Sequence, residues 1–215
     1  MVLADDDIPD IHPLPLLPSW YQRHAMNVAL LAYEFAESTR IVASTDAYEA
    51  GYYHDLGKIV LPAHLWNKPF PCTAHEIHKI RMHPILGRVI GQQIGLPHHI
   101  LECIEMHHER VDGGGYPYGR TDIPLLVQVI SVVDSYVAMG EPRTYHTPKR
   151  GEKALLELER VRGAQLDTDI TDSFIRFLRS VSSHDQSIAV QYLNAARLLA
   201  DGSADDDGRI PAPLY

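Results

Sequence analysis

The chain is poor in cysteine, in positive charge and in long apolar runs, and each shortage removes a class of protein. Its two cysteines, Cys72 and Cys103, cannot build a disulfide framework, and no basic and apolar leader opens the sequence, so a reducing cytoplasm is the expected location. The longest apolar stretches fall far short of the roughly 20 residues that a bilayer requires. No membrane span is expected. Lysine and arginine number 19 against 28 aspartates and glutamates, a formal net charge of −9. That balance argues against a double-stranded nucleic-acid surface, because phosphate backbones are gripped by clustered cations. An anionic small molecule stays compatible with it, provided that metal ions supply positive charge locally. Alternating strand patterns of useful length, internal repeats and low-complexity segments are also lacking. What is abundant is histidine, with 13 residues.

At 215 residues the chain suits one domain with a core of its own. Residues 1–18 hold four prolines and Asp5-Asp6-Asp7 and read as an extended arm; residues 201–215 read as a loose tail. Between them the apolar spacing is helical, which predicts an all-α domain over 19–200 with about eight to ten helices. The first places Tyr21, His24, Val28, Leu31 and Phe35 on one stripe, and the second runs through Ala47, Ala50, Gly51 and His54. Thr73-Ala-His-Glu76 has the form of a capping box, and His83-Pro84 opens a further helix through Ile85, Val89 and Ile90 that closes near Gly95. Another begins near Pro97 and ends at His107-His108-Glu109. Thr121-Asp122-Ile-Pro124 opens the next, with Ile123, Val127, Ile130 and Val137 on its stripe. Three more follow: one from Thr147-Pro148 to Gly163, one carrying Ile170, Phe174, Phe177 and Val181, and one from about Asp185 to Ala200.

Polar residues interrupt these apolar stripes where none is expected. Asp134 falls four after Ile130 and seven after Val127, and burying an unpaired carboxylate there costs several kcal/mol. It must be paired, protonated or bound to a metal. His54 and Asp55 are adjacent, and neighbours on a helix point about 100° apart, so they serve one centre only at a helix end, where Gly57 breaks the pattern. His24, His54, Asp55, His83, His107, His108 and Asp134 form a candidate ligand set: five imidazoles and two carboxylates. That is too many for one ion and suits two divalent ions bridged by Asp55. Imidazole with carboxylate fits Fe first, with Mn, Zn or Co as alternatives, and the lack of thiolate ligands disfavours a structural zinc. Two such ions about 3.5–4 Å apart acidify a shared water and clamp a phosphoryl oxygen. The remaining histidines, including His75 and His78 in a pattern one residue short of HExxH, are assigned to surface or packed positions.

The ordered set His54-Asp55, His83, His107-His108-Glu109, Asp112-Gly-Gly-Gly-Tyr116-Pro117 and Asp134 resembles the HD-GYP family of metal-dependent phosphodiesterases, from about Arg23 to Tyr145. The resemblance implies an HD-domain helical bundle. It implies that His24, His54, Asp55 and Asp134 hold one ion and Asp55, His83, His107 and His108 the other. It gives Asp55 and Lys58 catalytic roles, Lys58 reaching a phosphate or protonating the departing 3′-oxygen. It places Tyr116 on the nucleotide with Gly114 and Gly115 permitting close approach, and assigns Arg143, in Arg143-Thr-Tyr145, to a phosphate. Trp20 stands where some members carry a glutamate for a third metal, which favours two, and Val137 removes one potential substrate contact. The activity implied is hydrolysis of cyclic di-GMP to linear pGpG and onward to GMP. Rival readings are a general HD-type nucleotide phosphohydrolase and a non-enzymatic module that binds a cyclic dinucleotide or a partner. The expected partners are the cyclic dinucleotide, a regulatory or diguanylate cyclase protein, and a second copy in a homodimer.

Overall fold

The computed structural model describes residues 19–65, 72–141 and 148–184. The arm at 1–18, the loop at Lys68, Arg143 with Tyr145, the helix expected from Asp185 and the tail at 201–215 lie outside them. Eight α-helices follow in order: α1 Ser19–Thr39, α2 Ser44–Tyr53, α3 Ala74–Ile80, α4 His83–Gln93, α5 His98–Met106, α6 Leu125–Gly140, α7 Glu152–Val161 and α8 Thr168–His184. Two 3-10 segments, Leu56–Val60 and Ala63–Leu65, stand between α2 and α3. Among the described residues no strand forms beyond one isolated bridge between Arg162 and Leu166, so the all-α expectation holds. No described helix is long and apolar enough to cross a membrane.

α6 is the central element. Val127, Val129, Ile130, Val132 and Val133 are all fully buried, so it is wrapped on most sides and carries Asp134 into the interior. α1 and α2 pack against it and against each other at close range. The buried face of α1 is rich in alanine, with Ala25, Ala29, Ala32 and Ala36 beside Tyr21, Val28 and Phe35. The small residues let α2 approach so near that a Cβ on Gly51 would stand 2.8 Å from the Ala29 Cα. Leu31, expected on the stripe, is only half-buried, and Ala32 takes its place. Phe35 meets Phe174 edge to face at 5.1 Å between centroids, joining α1 to α8. Burying one such ring stabilises the fold by about 1.5–3 kcal/mol.

Two local expectations change. α4 turns His83, Pro84, Gly87 and Gly91 inward, and Val89, expected on the apolar face, is exposed. The face of α4 that fits is the small one, because α4 lies backbone to backbone against the Leu56–Val60 segment. α7 starts at Glu152 behind Gly151, whose φ is 55°, so Pro148 does not occupy its first turn. The capping box at Thr73 forms as read: the Thr73 hydroxyl accepts from the Glu76 N–H, and the Glu76 carboxylate accepts from the Thr73 N–H at 2.7 Å.

Candidate metal centre

The bundle delivers its histidines to one point from helix ends. α2 finishes at Tyr53, His54 caps it, and Asp55 sits at φ −100° and ψ 13°, the sparsely populated bridge region in which the chain turns into the next 3-10 segment. The adjacent pair thus straddles a helix terminus. Gly57 serves a different purpose from the one its sequence position suggests. A Cβ there would lie 1.9 Å from the His83 carbonyl oxygen and 2.5 Å from the Gly87 nitrogen, so only glycine lets α4 approach and bring His83 beside Asp55. His83 is the first residue of α4 and His107 the C-cap of α5. His24 enters from within α1 and Asp134 from within α6.

Each inner imidazole has its outer nitrogen occupied. The Nδ1 of His54 lies 2.7 Å from the Gly51 carbonyl, that of His83 2.8 Å from Ile80 and that of His107 3.0 Å from Ile104. A carbonyl only accepts, so these Nδ1 atoms carry the proton and Nε2 presents a lone pair inward. Those lone pairs surround Asp55. His83 Nε2 is 3.0 Å and His107 Nε2 3.6 Å from its Oδ1, whereas His54 Nε2 is 3.3 Å and His24 Nε2 4.0 Å from its Oδ2. Asp134 Oδ1 stands 3.1 Å from His24 Nε2 and 3.9 Å from His54 Nε2.

Two ligand groups emerge, Asp55-His83-His107-His108 and His24-His54-Asp55, each with its donor atoms within 4.8 Å of one another. They share Asp55, one oxygen toward each. A divalent cation fits this set on two grounds. The Nε2 atoms of His83 and His107 face each other at 3.3 Å, a repulsive meeting of lone pairs unless something positive lies between them. Moreover, His54 Nε2 and Asp55 Oδ1 are buried without a well-formed hydrogen bond, which a buried polar atom does not tolerate cheaply.

The electrostatics agree. Burial opposes ionisation of Asp55, yet the Lys58 ammonium beside it holds the carboxyl well below the usual range. Asp134 behaves alike: burial raises it, but the hydrogen bond from His24 and the charge of that imidazolium bring it down. Burial pushes the His83 pKa down to about 4 against the pull of Asp55, and burial with the neighbouring His107 and His83 lowers His108 as well. Neutral imidazoles beside ionised carboxylates are the protonation states that metal ligation needs. His24 differs, since the Glu141 and Asp134 carboxylates overcome its burial and lift it to about 10. A cation held at that end would compete with this proton.

Around the ligands, the Lys58 ammonium contacts Asp55 Oδ2. Tyr116 stacks on His108, with centroids 4.6 Å apart and planes 23° from parallel, and the Arg81 guanidinium lies over the same ring at 5.0 Å. Gly115 belongs to this packing: a Cβ on it would strike Arg110 N at 2.5 Å and the His108 carbonyl at 2.6 Å. Gly114 lies at the exposed tip, its N–H donating to Asp112 Oδ1 at 2.9 Å. Arg143 lies outside the described residues. His64, His75, His78, His98 and His99 are exposed, away from the centre. The sequence reading gave no role to three residues. Glu141 is buried against His24. Glu109, 3% exposed, accepts the backbone N–H of Tyr118 at 2.7 Å and of Arg120 at 2.9 Å and so ties down the glycine loop. Arg81 lines, with Arg110, Tyr116, His108 and Asp134, a cavity against the centre. Only Glu109, adjacent to the histidine pair, had a sequence signal.

A family model described as an HD domain matches residues 16–170. The chain is 31% identical over 171 residues to a cyclic di-GMP phosphodiesterase of Thermotoga maritima, covering 74% of this chain and 45% of that protein. It is 28% identical over 163 residues to the 3'3'-cGAMP-specific phosphodiesterase 1 of Vibrio cholerae serotype O1, covering 72% of this chain and 37% of that one. The chain therefore spans less than half the length of these curated relatives. Among solved structures, Bd1817, an HDG"Y"P protein from Bdellovibrio bacteriovorus, superposes with a TM-score of 0.57 at 18% identity over 74% of this chain and 52% of that one, a likeness of fold. Since the matched segment runs from before His24 to beyond Asp134, and holds the histidine pairs and the Asp112-to-Pro117 loop in their order, the chain belongs to the HD-domain family and carries the HD-GYP motif set.

Proposed function

We propose that the chain is a metal-dependent phosphodiesterase acting on a cyclic dinucleotide, with cyclic di-GMP as its first candidate substrate. The observation that carries the reading is the pair of ligand groups sharing Asp55 beside a cavity lined by Arg81, Arg110 and Tyr116. In a chain of net charge −9, a site for a twice-anionic ligand needs positive charge concentrated locally, and cations plus the Arg81 guanidinium provide it. The names of the curated relatives, which differ in their second purine, support the cyclic dinucleotide class.

His24, His54, Asp55 and Asp134 would hold one divalent ion and Asp55, His83, His107 and His108 the other, with Fe(II) or Mn(II) best suited to imidazole and carboxylate. When bound, such a pair supplies an acidified water and a clamp on the phosphoryl oxygens. The protein's own groups do the rest. Hydrogen bonds at Nδ1 keep the imidazoles aimed without reorganisation. Lys58, at the rim beside Asp55, donates a proton to the departing 3′-oxygen, so that one P–O bond breaks as another forms and linear pGpG results; a second round yields GMP. Arg81 grips a phosphate through its forked N–H groups, while the Arg110 fork stays on the Asp112 carboxylate at the edge of the cavity. Tyr116, already stacked on His108, fixes that ligand as well as bounding the nucleotide cavity.

The test is anaerobic loading of ion-free protein with Fe(II) or Mn(II), followed by product analysis on cyclic di-GMP, cyclic GMP-AMP and deoxynucleoside monophosphates in parallel. Linear dinucleotide appearing only with metal supports the reading. Turnover of the monophosphates alone makes the chain a general HD-type phosphohydrolase, and binding of cyclic dinucleotide without any turnover makes it a non-enzymatic module.

A further inference from the structure

Four imidazoles turn Nε2 toward Asp55, and three of them settle their other nitrogen in the same way. His54, His83 and His107 stand at helix termini, where carbonyls of the preceding turn have no helical partner, and their Nδ1 atoms take Gly51, Ile80 and Ile104. His24 stands inside the 21-residue α1, where the carbonyls of the preceding turn are already consumed by the helix itself. Its Nδ1 meets a side chain rather than a carbonyl. Glu141 supplies the acceptor instead, across a sequence separation of 117. The chain leaves α6 after Gly140 in an extended conformation, φ −83° and ψ 142° at Glu141, which returns the carboxylate to α1. Both of its oxygens lie 3.1 Å from His24 Nδ1, and its side chain is 10% exposed.

We propose that Glu141 is a positioning residue that fixes His24 as an Nε2 ligand and makes the His24 end the tighter of the two cation sites. The inference rests on the metal reading of the cluster and deepens it. Two arguments carry it. A charge-assisted bond from Nδ1–H to a carboxylate is stronger than one to a carbonyl and fixes ring orientation and tautomer together. The two ends are also unequal in charge among the described residues: His24 meets Asp134 and Glu141 as well as Asp55, a surplus of carboxylate that the Lys58 ammonium on Asp55 Oδ2 offsets only in part, whereas Asp55 is the carboxylate within 4.0 Å of the His83 and His107 Nε2 atoms. In a buried site each additional carboxylate acts on a divalent cation with little screening.

The experiment is a Mn(II) titration of the ion-free full chain by calorimetry, with free Mn(II) followed by electron paramagnetic resonance, for wild type, Glu141→Gln and Glu141→Asp. Gln retains an acceptor oxygen and the volume but loses the charge, and Asp retains the charge but falls short of Nδ1, so the tighter constant should weaken in whichever of the two melts like wild type, and by more in Gln than in Asp. Wild type is expected to take two ions with distinct dissociation constants. In Glu141→Gln the tighter constant should weaken by roughly 10–100-fold, the usual effect of losing a group that orients a ligand, with the weaker constant unmoved. In a His83→Ala background, which removes a ligand of the other end, the remaining tight site should show the same loss. Equal constants in wild type and Glu141→Gln, or a uniform weakening of both sites with a lowered melting temperature, overturn the proposal while leaving the metal reading in place. A wild-type chain that takes no ion overturns both.

Discussion

Gly57→Ala tests whether the site is assembled by backbone contact. The added Cβ would fall 1.9 Å from the His83 oxygen, 2.5 Å from the Gly87 nitrogen and 2.8 Å from the His83 carbonyl carbon. All three are backbone atoms, so no rotamer change can yield, and the 3-10 segment and α4 must part by about 1.5 Å to reach ordinary contact. Overpacking of this kind costs about 1–3 kcal/mol, and the absence of any flexible neighbour puts this case at the upper end. The substitution also restricts the unfolded chain, which returns about 0.4–1 kcal/mol. A net loss of about 2 kcal/mol is expected in urea unfolding of the ion-free protein. A second readout is independent of stability. Because His83 itself is the obstacle, its ring must withdraw from Asp55, now 3.0 Å away, and the affinity for one of two ions should fall. Gly95→Ala is the control: Gly95 has φ +81° and nothing near its missing Cβ, so it should cost about 1–2 kcal/mol of left-handed strain and leave ion binding unchanged. A Gly57→Ala protein with wild-type midpoint and wild-type ion affinity would refute the account of how α4 docks.

The residues that the sequence reading gathered were visible because they break a pattern. His24 and Asp134 sit on apolar stripes, and each is buried in the fold, so their anomaly was itself the signal. His54 and Asp55 were legible by a geometric argument about adjacent residues, and the helix does end between Tyr53 and Asp55. What stayed hidden has no period. Glu141 follows the end of α6 in extended backbone, and its meeting with α1 depends on how two helices cross, which no local spacing encodes. Gly57 reads as a breaker in one dimension, and Gly87 carries no signal there. In three dimensions they are the contact surface between α4 and the Leu56–Val60 segment, and Gly91 lets the same face of α4 close on Leu101, which leaves Val89 exposed. The loop glycines teach the same point in reverse. Gly115 looks like freedom for a ligand, yet its lack of a side chain is used up by the backbone of residues 108–110.

Thr73→Ala removes a capping box whose threonine hydroxyl and backbone N–H both meet Glu76; it should cost about 0.5–2 kcal/mol in urea unfolding and leave ion stoichiometry at the wild-type value. Glu109→Gln keeps the shape of a buried carboxylate but turns an N–H donor toward one of two backbone N–H groups, those of Tyr118 and Arg120. It should lose about 1–3 kcal/mol of local stability, seen as faster hydrogen exchange at those two amides, and unchanged exchange would remove Glu109 as the anchor of the loop. Asp55→Asn bears on the centre itself. The Asp55 carboxylate directs Oδ1 toward His83 and His107 and Oδ2 toward His54 and His24, so a single side chain belongs to both ligand groups. An amide of the same shape offers an oxygen to only one group and an N–H₂ to the other, and it carries no charge to balance two cations. Turnover should disappear and bound metal, measured by elemental analysis, should fall from two equivalents to one or none. If Asp55→Asn retained two ions with wild-type affinity, the two groups would be held together by something other than this shared carboxylate, and the bridging role of Asp55 would have to be abandoned.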